Sequence, residues 1–120
     1  MFMKYEYYNP DYVNMNCVLR SFSKALNRTP FDIENELMVI SKDYRKEKVF
    51  DKYLSKNSFM IINTYNGKNL LDTNLVGTNI AYVKDKSWYH LVCVIDNCIY
   101  DKASLEELSN MRIIKVYKMK

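Results

Sequence analysis

Apolar positions in the first half of the chain recur with the spacing of a helix face. Val18, Phe22, Ala25 and Leu26 fall at i, i+4, i+7 and i+8, which predicts a helix from about Cys17 to Asn27. Asn16 stands immediately before it, a residue type whose side chain accepts from the unpaired N–H groups of a first helical turn. Asn27 and Arg28 end this helix, and a second start signal follows at once: Thr29 as N-cap, Pro30 at the first helical position and Asp32 in the first turn. The second helix is expected to carry Phe31, Ile33, Leu37, Ile40 and Tyr44 toward the core. A third helical piece spans roughly Val49 to Leu54.

From Phe59 the period changes. Phe59-Met-Ile-Ile62 is a short apolar run, followed by the turn-prone Asn66-Gly67. Thr78 to Lys84 reads as a strand, Asp85-Lys86 as a turn, and Trp88 to Ile95 as a nearly continuous apolar strand buried on both faces. Asp96-Asn97 fits a two-residue hairpin turn, since both residue types tolerate positive φ. Cys98 to Asp101 returns as the next strand, Ser104-Leu-Glu-Glu107 has the spacing of a capping box opening one helical turn, and Met111 to Met119 is a final strand. Helices first and strands after them predict an α+β fold, with N-terminal helices packed on a C-terminal antiparallel sheet.

The chain has 120 residues, enough for one domain over 1–120. With 48% hydrophobic and 27% charged residues it can build a packed core, and disorder is excluded as the dominant state. No stretch approaches the ~18 consecutive apolar residues of a membrane-spanning helix, and the first ten residues lack an apolar run of signal-peptide type. The expectation is a soluble protein that makes no membrane contact and stays in the cytoplasm.

Three cysteines, none in a C-x-x-C pair, and one histidine make a poor zinc set. Without an export signal a disulfide framework is not expected either, which leaves free thiols in a reducing compartment and no metal or cofactor. The net charge is +4, and its densest basic cluster is Lys42, Arg45, Lys46 and Lys48, interrupted by Asp43 and Glu47. With 11 tyrosines, such a chain has the residues to bind nucleic acid through lysines on phosphates and rings on bases. A solvated helix face explains the same cluster, and the acidic residues mixed into it favour that explanation.

Three residues carry candidate chemistry. Cys17 stands at the predicted N-terminus of the first helix, where unpaired N–H groups and the helix dipole favour a thiolate and point where an oxyanion would sit. Its alternative is a small apolar residue of the core. His90, near the start of the buried strand, titrates close to neutrality and suits a general base for a thiol; a packed histidine without a role is the other reading. If Asp96-Asn97 is a two-residue turn, Ile95 pairs with Cys98 and Val92 with Asp101. Asp101 is then the diagonal neighbour of His90 on one face, able to hold the imidazole as the orienting member of a triad does. A strand-end Asp satisfied by solvent or backbone is the alternative.

Asn16-Cys17-Val-Leu-Arg-Ser-Phe-Ser-Lys-Ala-Leu26, followed by His90-Leu-Val-Cys-Val-Ile-Asp-Asn-Cys-Ile-Tyr-Asp101, resembles the papain-like cysteine peptidases. The likeness is to short bacterial and phage-borne versions, with a Cys-x-x-Arg helix followed by a His-strand-turn-strand-Tyr-Asp hairpin. It covers most of the chain in order of elements, while these two stretches carry it closely. The resemblance implies a hydrolase with Cys17 as nucleophile, His90 as base and Asp101 as orienter, acting on a peptide or protein. The family usually places a Gln a few residues before the cysteine to complete the oxyanion hole. This chain contains no Gln, and Asn14 and Asn16 are the side-chain amides available there. The family also often has a small residue after the histidine, where Leu91 stands here.

Arg20, one turn after Cys17, has the charge to support a thiolate, although an exposed or carboxylate-paired arginine is the commoner arrangement. Trp88 and Tyr89 precede His90 as cleft or core aromatics. Two function classes follow: a thiol amidohydrolase or acyltransferase, and a papain-like binding protein of weak or absent turnover that acts on a phage or host partner.

Overall fold

A computed structural model describes residues 3–120. Helix α1 (Cys17–Leu26) begins where Asn16 accepts from the Leu19 N–H at 3.0 Å and ends at Asn27, whose positive φ of 53° lets its N–H turn back onto the last carbonyls. Helix α2 (Pro30–Ile40) starts at Thr29, which caps Asp32 N–H, and α3 (Glu47–Lys56) follows a six-residue connection. Two differences from the expected helices are physical. The second helix stops at Ile40, so Tyr44 reaches the core from the connecting loop. Phe31, in the first turn of α2, points to solvent at 58% exposure.

Six strands form one sheet: β1 (Lys4–Tyr7), β2 (Phe59–Ile62), β3 (Thr78–Lys84), β4 (Tyr89–Ile95), β5 (Cys98–Asp101) and β6 (Arg112–Met119). Their spatial order is β1-β5-β4-β3-β6-β2. The expected purely antiparallel sheet is corrected to a mixed one, because β1 runs parallel to β5, while every other neighbouring pair is antiparallel. The β4–β5 turn is the two-residue hairpin: Asp96 and Asn97 have φ of 47° and 63°, and Ile95 pairs with Cys98.

The sheet is buried on both faces. On one, Phe22 of α1 stacks on Tyr53 of α3 at 5.7 Å between ring centroids and meets the Phe50 edge at 6.0 Å, over Ile80, Leu91, Cys93 and Tyr117. On the other, Val83, Val92, Val94, Ile99 and Val116 are covered by Leu70, Leu75 and a short helix, α4 (Leu105–Leu108). Ser104 and Glu107 form the capping box of α4. Two covered faces explain why β4 reads as an apolar run and not as an alternation. Among the described residues, no helix is long and apolar enough to cross a membrane. The packing of α1 on this face of β4 sets the helix N-terminus beside the start of that strand, and the candidate chemistry converges there.

Candidate active site

Cys17 is the first residue of α1, half-buried at the mouth of a cavity of about 440 Å³. Asn16, Arg45, Phe50, Tyr82 and Tyr89 border the same cavity, with His90 beside Cys17. As in any first helical turn, the leading N–H groups lack helical partners. Leu19 N–H is taken by the Asn16 cap, while those of Cys17 and Val18 have no acceptor among the described residues. Two donors are thus left free at the positive end of the helix dipole, where Cys17 stands.

His90 and Asp101 meet across the hairpin. His90 Nε2 lies 2.8 Å from Asp101 Oδ2, with the two side chains only 5% and 0% exposed. Their register follows from the turn, since Cys93 opposes Tyr100 and the next pair inward brings Asp101 diagonal to His90. With Nε2 engaged, Nδ1 is the ring atom left for the thiol. Asp101 Oδ2 accepts a second hydrogen bond, from Ala103 N–H at 3.0 Å, while Oδ1 is buried without a partner among the described residues.

Electrostatics bind the pair together. Burial pushes the Cys17 thiol up, but hydrogen bonding with His90, the His90 charge, the Leu91 N–H and Arg20 outweigh it and bring the thiol below its ordinary value. Burial pushes His90 down, yet hydrogen bonds with Asp101 and Cys17 and their charges raise it to about 9. Both shifts favour the thiolate–imidazolium form of the pair over the neutral one. The other buried thiol behaves oppositely: Cys93 is pushed up to about 12, chiefly by burial. All three cysteines are unpaired, and no three His, Cys, Asp or Glu side chains converge as a metal site among the described residues.

The two amides considered for the oxyanion differ in place. Asn16 borders the cavity, but its Oδ1 is the helix cap and its Nδ2 donates to Tyr44 Oη at 3.0 Å. Asn14 Nδ2 donates to Glu34 Oε1 at 3.0 Å, which turns that amide toward a buried carboxylate. Glu34 also accepts from Tyr12 Oη at 2.6 Å and, on Oε2, from Tyr44 Oη at 2.9 Å. This network pins the segment leading into Cys17, and the sequence reading did not find it, because hydrogen bonds among loop residues leave no periodic trace. Strand β1 was missed for a related reason. It is a polar edge strand held by backbone bonds, and Tyr8 N–H (3.0 Å) and Tyr5 Oη (3.1 Å) both donate to the Asp101 carbonyl.

Arg20 is neither exposed nor carboxylate-paired. It is 5% exposed, and its Nε donates to Asn9 Oδ1 at 3.0 Å. Leu91 packs its side chain into the core on the α1 side, leaving its N–H to the sulfur. Trp88 lies over His90, while Tyr89 walls the cavity. The basic cluster is not one helix face: Lys42, Arg45 and Lys46 sit in the α2–α3 connection and Lys48 in α3, with Lys46 3.6 Å from Asp43. No family model, curated protein or solved structure matches the chain.

Proposed function

We propose that this protein is a papain-like thiol hydrolase, acting on a peptide, isopeptide or related amide, or passing the acyl group to an amine. The observation that carries the reading is one imidazole held between a thiol at a helix N-terminus and a buried carboxylate. In this mechanism the Cys17 thiolate attacks the carbonyl carbon and the oxyanion takes the N–H groups of Cys17 and Val18. The His90 imidazolium protonates the leaving amine as the C–N bond breaks, leaving a thioester on Cys17. His90, now neutral, takes a proton from water as the hydroxyl adds to the thioester. Collapse expels the thiolate, releases the acid and restores the ion pair, while Asp101 keeps the ring aligned.

A second reading is supported by the engaged amides. Asn14 is bonded to Glu34 and Asn16 to Tyr44, so neither is a free counterpart of the Gln in the family pattern. Loss of one oxyanion donor costs on the order of 10²–10³ in rate. A binding protein of this architecture with little turnover is the alternative.

Iodoacetamide labelling of each cysteine against pH, read by mass spectrometry in the wild type and in His90→Ala, tests the proposal. Selective labelling of Cys17 in mildly acidic buffer that disappears without His90 supports the thiolate–imidazolium pair. A Cys17 that is inert, or that behaves as an ordinary thiol in both proteins, overturns it in favour of the binding protein.

A further inference from the structure

Part of the wall of the Cys17 cavity is built on one face of the sheet. Tyr82 and Tyr89, whose ring centroids are 5.9 Å apart, form its wall on β3 and β4. One step further, the register sets Lys84 opposite both Tyr89 on β4 and Arg112 on β6. Side chains two apart on a strand share a face, so Lys84 lies on the same face as Tyr82. Like charges directly opposite each other on neighbouring strands repel. An intervening carboxylate would relieve that repulsion, yet Lys84, Lys86 and Arg112 form no ion pair among the described residues.

These three cations line a hollow of about 680 Å³, where the single carboxylate, Asp85, accepts from Ser87 N–H at 3.3 Å. Arg45, which lines the Cys17 cavity, is exposed and forms no ion pair among the described residues, while its neighbour Asp43 lies 3.6 Å from Lys46. Cations therefore stand both in the lining of the Cys17 cavity, at Arg45, and in the hollow next to its Tyr89 wall, and the carboxylates nearest to them, Asp43 and Asp85, already have partners.

We infer that this surface takes an acidic polypeptide segment, with carboxylate side chains of the substrate over Arg45 in the Cys17 cavity and over Lys84 and Arg112 in the hollow next to Tyr89. The inference rests on Cys17 being the nucleophile of the proposed function. Separate carboxylates on a peptide can settle between Asp43 and Asp85, whereas a continuous phosphate backbone would run against both. Opposed cations that cost stability in the free protein become favourable once a carboxylate sits between them.

Two peptidyl vinyl sulfones test this, identical except that one carries two glutamates where the other carries two glutamines. The acidic probe is expected to label Cys17 faster at low salt, on the order of tenfold, with the advantage shrinking as salt is raised. In Lys84→Gln/Arg112→Gln the acidic-to-neutral rate ratio falls toward one. Lys84→Gln alone, at an exposed position, serves if the double variant folds poorly, and it lowers the ratio part of the way. Equal rates for the two probes in the wild type, or a ratio unchanged by the substitutions, overturn the inference. So does blocking of the labelling by a short single-stranded DNA but not by polyglutamate, which would assign the cations to nucleic acid. A Cys17 that reacts with neither probe nor with iodoacetamide removes the catalytic reading itself, a result distinct from all of these.

Discussion

The indole of Trp88 lies against the imidazole of His90, ring centroids 4.7 Å apart and planes inclined by 31°. The two alternate on one face of the chain entering β4, so the indole covers a ring otherwise bordered by Cys17 and Asp101. An aromatic face favours a cation beside it, which accords with a His90 that holds its proton to about 9. Trp88 is the single tryptophan and His90 the single histidine, so each reports on the other. Imidazolium quenches indole emission more strongly than neutral imidazole does. Fluorescence is therefore expected to rise as pH passes through about 9, and the transition should vanish in His90→Ala. A flat profile in the wild type between pH 6 and the onset of tyrosine ionisation would contradict a raised His90.

The carboxylate behind the ring makes a second test. Asp101→Asn keeps a group able to accept from the imidazole and deletes the charge, so His90 should lose its proton at lower pH and Cys17 should become a weaker thiolate. The onset of iodoacetamide labelling moves to higher pH, short of the position it reaches in His90→Ala. Stability changes with a definite sign. A His raised from 6.5 to about 9 stabilises the fold fully below the lower value, and that contribution is lost as pH rises through the higher one. Unfolding free energies of wild type and Asp101→Asn, from urea titration, should thus differ most below pH 6.5, by about 1–3 kcal/mol, and converge as pH approaches 9.

What could be read before the fold was known follows a physical division. The boundaries of β3 and β5, the apolar run that forms β2, the cap at Asn16 and the diagonal of His90 and Asp101 all derive from local rules: apolar period, cap chemistry and the positive φ that Asp96 and Asn97 tolerate. Those rules act within a few residues, so the sequence states them directly. Strand β1 is different. Its tyrosines are exposed or half-buried, and its place beside β5 depends on backbone bonds over some 90 positions, such as Lys4 N–H to the Asn97 carbonyl at 2.9 Å. Phe31 was expected in the core because periodicity counts apolar residues without knowing where the helix axis points. Arg20 was expected outside because burial of a guanidinium requires partners, here Asn9, that only the tertiary fold supplies.

The Glu34 network predicts an effect at a distance. Burial raises this carboxyl, but hydrogen bonds from Tyr12, Asn14 and Tyr44 outweigh it and hold it below the ordinary carboxylate range. A depressed carboxylate stabilises the fold above its unfolded value, and the contribution is lost as pH falls through the folded one. Glu34→Gln replaces one acceptor with an amide donor facing groups that already donate, so it should cost about 1–3 kcal/mol at neutral pH and less in acid. Tyr44 then loses the partner that positions its hydroxyl for Asn16. Cys17 labelling by iodoacetamide should slow in Glu34→Gln although the substituted side chain does not border the Cys17 cavity. Wild-type labelling together with a lowered urea midpoint would confine Glu34 to stability.

Strand β1 supports the site through backbone bonds and the Tyr5 hydroxyl, and this separates it from the core. Lys4 donates to Asn97 and Tyr8 to Asp101, and the alternation of a parallel ladder sets the Glu6 N–H between them. Glu6 is exposed, so Glu6→Pro removes a donor without opening a cavity. The helices and β2 to β6 are expected to keep their far-ultraviolet dichroism, because β1 lies at the sheet edge and buries little. Asp101, whose carbonyl takes bonds from both Tyr8 and Tyr5, should lose its fixed position, and His90 should release its proton below about 9. Hydrogen exchange is expected to show amides of β5 opening faster while those of β3 and β6 stay protected. Unchanged exchange in β5 together with a wild-type His90 titration would mean that β1 is dispensable for the geometry around Asp101.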